Sequence, residues 1–246
     1  MKKVIIVQAR MGSTRLPGKV LREVLGKPLL EYQLERLARV RSSDMVVVAT
    51  TDKEQDKPIV DLCRRLGVLF FRGPEEDVLA RYYLAAREFG AEIVARITAD
   101  CPIIDPAVVD QVFRFYLDHA GEYDYVSNAR RRTYPRGMDT EVFSFHALEE
   151  AYREARREAE REHVTIFIYE HPERYRLGGV EYHQDYSRYR WTVDTEEDFQ
   201  LIEKIITALY PKNPEFTLED CLQLLAKYPE WEKINAHIKQ KPVQNR

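Results

Sequence analysis

Apolar positions along the first half of the chain follow two rhythms that take turns. Val4-Ile5-Ile6-Val7 is a short unbroken apolar run, the pattern of a strand covered on both faces. Leu30, Leu34 and Leu37 then recur at helical spacing and predict a helix over 29–40 with one apolar face. Met45-Val46-Val47-Val48-Ala49 reads as a second strand, entered from the turn-like Ser42-Ser43-Asp44. A helix over 59–66 stops at Gly67, the residue that most readily closes a helix in the left-handed conformation. Val68-Leu69-Phe70-Phe71 is a third strand, 77–89 a helix stopped by Gly90, and Ile93-Val94-Ala95-Arg96-Ile97 a fourth strand. A further helix over 106–117 opens on Pro106, which suits a first helical turn. Strands alternating with helices imply parallel pairing through right-handed crossovers, so the expected fold is α/β, a doubly wound, mostly parallel Rossmann-like sheet. Ligands of such sheets bind beyond the carboxyl ends of the strands.

After Asp124 the rhythm changes. Tyr125-Val126 and Glu141-Val142-Phe143 flank an arginine-rich loop over 128–139, and a charged helical stretch over 147–162 runs into Val164-Thr165-Ile166-Phe167-Ile168-Tyr169. Residues 175–182 look β-like, and Arg190-Trp191-Thr192-Val193 reads as a strand heading into Asp194. Helices over 196–209 and 218–227 close the pattern, and the polar residues 239–246 are expected to fray. With no internal repeat or low-complexity linker, the expectation is one domain over 1–246, with 128–190 as a small β/α excursion.

Composition narrows the function classes. With 44% hydrophobic and 32% charged residues, 246 residues suit a soluble chain that buries a real core. A net charge of −3 gives no general attraction to nucleic acid or membrane. No apolar run approaches the roughly 20 residues that span a bilayer, and the N-terminus is broken too early by Gln8 and Arg10 for a signal peptide. A cytoplasmic protein is expected. The 3 cysteines, Cys63, Cys101 and Cys221, lie far apart without CxxC spacing, and the 6 histidines form no HExxH, so neither a disulfide framework nor a zinc site is indicated.

The chemistry begins straight after the first strand, at Gln8-Ala9-Arg10-Met11-Gly12-Ser13-Thr14-Arg15-Leu16-Pro17-Gly18-Lys19. Gly12 and Gly18 free the backbone to aim N–H groups at one acceptor, and Arg10, Arg15 and Lys19 surround the same spot with positive charge. Such a loop suits a polyphosphate, although a loop of this composition also simply turns a corner. It is neither a Walker A loop nor a GxGxxG fingerprint. Asp100, in Thr98-Ala99-Asp100-Cys101-Pro102, and Asp194, in Trp191-Thr192-Val193-Asp194-Thr195, each end a strand-like run on the ligand edge. Either residue could instead cap a turn or a helix. Taken together, three cations and two carboxylates at one rim suit a Mg²⁺-nucleoside triphosphate, since Mg²⁺ is usually held by one or two carboxylates plus substrate phosphates.

These residues resemble a known family. The loop from Arg10 to Lys19, with Gly26-Lys27-Pro28 after it, is similar to the N-terminal signature of sugar cytidylyltransferases, nearest the 3-deoxy-manno-octulosonate type and more distant from the acylneuraminate type. Ala49-Thr50-Thr51-Asp52, Asp77-Val78-Leu79-Ala80-Arg81-Tyr82, Thr98-Ala99-Asp100-Cys101-Pro102, Arg136-Gly137-Met138-Asp139-Thr140-Glu141, Arg161-Glu162-His163-Val164-Thr165 and Val193-Asp194-Thr195-Glu196-Glu197-Asp198 follow in order. That ordered set most resembles the spore-coat polysaccharide biosynthesis protein F branch.

The resemblance implies that Arg10 and Lys19 contact the triphosphate, with Arg15 close by and Gly12 and Ser13 supplying hydrogen bonds. Ala9, Met11, Thr51, Asp52, Thr98 and Ala99 complete the implied nucleotide set, and Arg81 corresponds to an arginine near the nucleotide. Asp100 and Asp194 would bind Mg²⁺ and, with Arg15 and Lys19, form the catalytic group. Two departures bear on the acceptor: Ala99-Asp100-Cys101-Pro102 stands where the octulosonate enzymes have Gly-Asp-Glu-Pro, and residues 75–81 replace their Ser-Gly-Thr-Asp-Arg segment. Arg136, Asp139, Glu141 and His163 are the implied acceptor residues, with Arg136 gripping a carboxylate or phosphate. Arg130-Arg131-Arg132 could equally face solvent, and Glu162-His163 could be a structural pair. The excursion in resembling enzymes dimerises, and Tyr175, Tyr182, Tyr186 and Tyr189 would suit such an interface.

The expected function is a Mg²⁺-dependent transfer of CMP from CTP to a sugar or sugar-like acid, in a homodimer that binds neither nucleic acid nor membrane. Two alternatives stay open: a nucleotide-sugar-dependent glycosyltransferase, whose usual Asp-x-Asp is absent, and a non-catalytic nucleotide-binding protein on the same fold.

Overall fold

A computed structural model describes residues 1–240; of the polar tail expected to fray over 239–246, residues 241–246 lie outside the described residues. Nine strands run along the described residues: β1 (Lys3–Gln8), β2 (Glu23–Val24), β3 (Lys27–Pro28), β4 (Met45–Thr51), β5 (Leu69–Gly73), β6 (Ile93–Thr98), β7 (Tyr125–Ser127), β8 (Glu141–Ser144) and β9 (Leu177–Gly179). Seven of them form one sheet in the order β5-β4-β1-β6-β8-β7-β9, while β2 and β3 make a small hairpin. The β5-β4-β1-β6 half is parallel throughout. Within that sheet, among the described residues, only β8 runs against its neighbours, pairing antiparallel with both β6 and β7.

The central strand shows why this order is stable. In β1 successive side chains alternate between faces, so Ile5 and Val7 enter one hydrophobic cluster and Val4 and Ile6 the other. The first cluster takes its helical cover from α1 (Leu29–Leu37), α2 (Lys57–Leu66), α4 (Pro106–Asp118), α8 (Glu196–Leu209) and α9 (Leu218–Lys227). On the opposite face α3 (Val78–Glu88), α5 (Phe145–Glu154) and the short α7 (Ile166–Tyr169) contribute the buried residues.

Helix ends follow local chemistry. Gly67 closes α2 (Lys57–Leu66) at φ 67°, and Asp77 caps α3 by accepting from the Ala80 N–H at 2.8 Å. Thr195 and Asp198 form a reciprocal capping box at the start of α8.

The second half departs from expectation in three places. The charged stretch over 147–162 is two helices, α5 and α6 (Glu158–Glu162), parted at Ala155, whose extended backbone ends α5. Trp191-Thr192-Val193 is not a strand: a single bridge joins Arg190 to Arg136, and Asp194 follows an irregular segment. That segment is held by its neighbour instead, through Val193 N–H to the Asp100 carbonyl at 2.8 Å. The four tyrosines expected on an open face are not exposed, since Tyr175 and Tyr189 are buried and Tyr182 and Tyr186 half-buried. Tyr175 packs into the cluster that holds Val4 and Ile6, and Tyr182, Tyr186 and Tyr189 pack against the one that holds Ile5 and Val7.

Candidate active site

The loop after β1 folds round its own backbone. Both the Ser13 and Gly18 N–H groups donate to the Met11 carbonyl, at 2.8 and 2.9 Å, and the Met11 N–H donates to Asp56 at 2.6 Å. Asp56 is buried and is held in turn by the Thr51 hydroxyl. Gly18 is left-handed at φ 68°, a conformation a side chain would strain, whereas Gly12 is not. The freedom expected of two glycines is used at one.

That folding delivers Lys19 to the rim of the sheet. Its ammonium donates to Asp194 Oδ1 at 2.8 Å, to the Val193 carbonyl at 2.7 Å and to Asp100 Oδ2 at 3.3 Å, so its three N–H groups all have acceptors. Arg15 lies 3.0 Å from the same Asp194 oxygen. Asp100 also accepts from the Thr98 hydroxyl at 2.5 Å. Burial alone would push the Lys19 ammonium down, but the attraction of Asp100 and Asp194 outweighs it and the pKa is raised. Burial would likewise raise Asp100, yet Lys19 and the Thr98 hydroxyl hold it down at about 2.

Arg15, Lys19, Asp100 and Asp194 open onto a cavity of about 580 Å³, whose wall also includes Ala9, Arg10, Ser13, Thr98, Ala99, Arg136, Asp139 and His163. Among the described residues no three His, Cys, Asp or Glu side chains form a metal cage. The two carboxylates nevertheless fit Mg²⁺: they are hard oxygen donors, and they already converge on one cation, the Lys19 ammonium.

Sequence comparison decides the class. The cytidylyltransferase family profile matches residues 4–234. This chain belongs to the cytidylyltransferase family. The spore coat polysaccharide biosynthesis protein SpsF of Bacillus subtilis is 35% identical over 237 residues, covering 92% of this chain and 95% of that protein. A solved cytidylyltransferase from Leptospira borgpetersenii superposes with a TM-score of 0.90 at 33% identity, over 98% of this chain and all of that one. The structure of CMP:2-keto-3-deoxy-manno-octonic acid synthetase complexed with CTP shares the fold, with a TM-score of 0.66 at 18% identity over 85% of this chain and 99% of that one. The protein is a nucleotidyltransferase on the mostly parallel sheet of its family.

Some expected residues stand apart from the cytidylyltransferase cavity. Thr51 is buried against Asp56 and supports the loop from behind, while Asp52 donates its N–H to the Gly73 carbonyl; neither lines the cavity. Glu141 is also withdrawn from it, pairing with Arg96 and accepting from the Tyr125 and Thr165 hydroxyls at 2.5 and 2.7 Å. Met11 and Gly12 shape the loop without lining the cavity. Arg81 borders an adjoining hollow of about 130 Å³ with Arg10 and His163, and donates to the Pro74 carbonyl at 2.6 Å. Arg161 of the same cytidylyltransferase binds Asp77, with its Nε at 3.0 Å, so two ordered motifs meet in a structural pair.

Arg132 pairs with Asp139, Nη2 to Oδ2 at 2.8 Å, while Arg130 and Arg131 are exposed. Arg136 differs from them. Burial first, then repulsion from Arg132, lowers its pKa. His163 faces both cavities from a turn whose next residue, Val164, sits at φ 55°, a strained conformation for a β-branched side chain. Burial keeps its imidazole below the usual 6.5.

Two groups of residues escaped sequence reasoning. Arg96 lines the cavity from the middle of β6, and its signal was a charge inside an apolar run. Arg190 and Asp198 flank Asp194 at four-residue spacing, which marks them only once Asp194 is known to matter.

Proposed function

We propose that this enzyme transfers CMP from CTP to an anionic sugar-like acceptor and releases pyrophosphate, with Mg²⁺ held by Asp100 and Asp194. The observation that carries the reading is the Lys19 ammonium seated between those two carboxylates at the end of a parallel sheet. A site that gathers one cation there, next to a loop bearing Arg10 and Arg15, is suited to a metal-triphosphate. The family match supports CTP as the nucleotide, and the likeness to a spore-coat polysaccharide protein supports use in surface polysaccharide assembly.

In this reading an acceptor hydroxyl or phosphate oxygen attacks the α-phosphorus, and pyrophosphate departs in line on the opposite side. Arg10, Arg15 and Lys19 offset the charge that grows on the departing pyrophosphate. Ala9, Ser13, Thr98 and Ala99 border the nucleotide, with Met11 and Gly12 shaping the loop and Arg81 beside the adjoining hollow. Arg136 holds the acceptor's anionic group, with Asp139 and His163 on the same wall. When bound, Mg²⁺ supplies neutralising charge at the phosphate oxygens. Among the described residues no helix is long and apolar enough to cross a membrane. A homodimer through 128–190 belongs to the same proposal.

The test is pyrophosphate release from CTP, UTP, GTP and ATP against a panel of 2-keto sugar acids and sugar phosphates, with and without EDTA. CTP-selective, EDTA-sensitive release with an anionic acceptor is expected. CTP binding without release for any acceptor would indicate a nucleotide-binding protein instead.

A further inference from the structure

The two oxygens of Asp194 keep different company. Oδ1 faces the cavity, where Lys19 reaches it at 2.8 Å and Arg15 at 3.0 Å. Oδ2 turns inward and accepts from Arg190 Nη2 at 2.7 Å. Arg190 is buried and all three of its guanidinium nitrogens donate: Nε and Nη2 to Asp198 at 2.9 and 3.1 Å, and Nη1 to Gln240 at 2.7 Å.

Asp198, with no exposure, also accepts the backbone N–H groups of Asp194 and Thr195 at 3.0 and 3.1 Å. Asn235 completes the set, donating to both Asp198 Oδ1 and the Arg190 carbonyl at 2.8 Å. A buried ion pair is poor evidence for stability as such, because desolvation offsets most of the attraction. This one immobilises one half of a carboxylate whose other half faces the cavity.

We propose that Arg190, held by Asp198 and Asn235, is a positioning residue that locks Asp194 Oδ2 and leaves Oδ1 as the single atom Asp194 offers to a metal ion, so that the site discriminates Mg²⁺ and Mn²⁺ from Ca²⁺. The inference rests on Asp194 as a metal ligand. Its physical basis is coordination: Ca²⁺ accepts carboxylates through both oxygens and tolerates irregular shells, whereas Mg²⁺ requires near-octahedral geometry. Partners behind a ligand that fix its orientation commonly change metal affinity 10- to 100-fold when removed. Asn235 and Gln240 bring the C-terminal segment into the site, beyond the last of the ordered motifs.

The experiment titrates Mn²⁺ and, separately, Ca²⁺ into the full chain saturated with CTP, for wild type, Arg190→Lys and Asn235→Ala. CTP affinity in EDTA and thermal stability are followed alongside. Arg190→Lys is expected to weaken Mn²⁺ binding roughly 10- to 100-fold and Ca²⁺ binding much less, with CTP affinity in EDTA within about twofold of wild type. Asn235→Ala shifts the Mn²⁺/Ca²⁺ ratio the same way to a smaller extent, and it serves if Arg190→Lys does not fold. A wild-type ratio in the folded variants, or equal losses of Mn²⁺, Ca²⁺ and CTP, would overturn the inference. Asp194→Asn separates the layers. Wild-type Mn²⁺ affinity in that variant removes Asp194 as a ligand and this inference with it. Loss in Asp194→Asn combined with an unchanged ratio in the other two variants refutes the positioning role alone.

Discussion

Replacing Lys19 with methionine keeps most of the side-chain volume and removes the charge that two carboxylates share. The contacts at 2.8 Å to Asp194 and 3.3 Å to Asp100 correspond to about 6 and 5 kcal/mol of gross attraction at an effective dielectric near 20. Burial of the ammonium cancels most of that. The loss is also uneven. Asp194 keeps Arg15 and Arg190, while Asp100 is left with the Thr98 hydroxyl and the Cys101 thiol. A net cost of about 1.5–3 kcal/mol follows, the scale of one charge-assisted hydrogen bond. For a chain of this length that lowers Tm by roughly 3–12 °C.

If the same charge meets the triphosphate, as proposed, CTP should bind about 10- to 150-fold more weakly. One effect has the opposite sign. With the ammonium gone the carboxylates are free to take a divalent ion, so Mg²⁺ without nucleotide should raise the variant's Tm more than the wild type's. Calorimetric titration with CTP and thermal scans with and without Mg²⁺ measure all three effects. Wild-type CTP affinity and an unchanged Tm in Lys19→Met would refute the view of Lys19 as both phosphate ligand and internal counter-ion.

Arg136→Ala should raise the acceptor KM or lower kcat while CTP affinity stays within about twofold; steady-state kinetics with each substrate varied in turn tests this, and the reverse pattern moves Arg136 to the nucleotide side. At Gly137, φ is 102° and an added Cβ would lie 2.6 Å from the Trp191 carbonyl oxygen, so Gly137→Ala should destabilise by roughly 3 kcal/mol or more in a denaturant titration. In acid, Asp100 has a folded pKa of about 2, below its unfolded value. Its contribution to stability is therefore present above the unfolded pKa and is lost as pH falls through the folded one. The Tm difference between wild type and Asp100→Asn should accordingly shrink below about pH 4 and stay constant from pH 5 to 7.

Much of this protein was legible in the order of its residues. Val4-Ile5-Ile6-Val7 reads as a buried strand because every residue in it is apolar, and α8 and α9 fall at Glu196–Leu209 and Leu218–Lys227, as their periodicity predicts. Arg10, Arg15 and Lys19 stand out because a basic, glycine-bearing loop after a first parallel strand must lie on the ligand edge. These are local properties, decided by spacing, caps and the direction of a strand.

Tertiary structure decided the rest. Asp194 does not end a strand; it reaches Asp100 because the Val193 N–H is tied to the Asp100 carbonyl, across 92 intervening residues and with no periodic signal to announce it. Thr51 and Glu141 sit in recognisable motifs yet serve Asp56 and Arg96 from behind the site. Asn235 and Gln240 look like unremarkable polar residues near the end of the chain, and only the closure of the C-terminal segment onto Arg190 gives them a role. The tyrosines expected on an interface likewise pack against the two core clusters, contacts that join segments distant in the chain. Periodicity records which side of an element faces the core, but a contact between distant segments depends on how whole elements pack, and no short stretch of sequence carries that information.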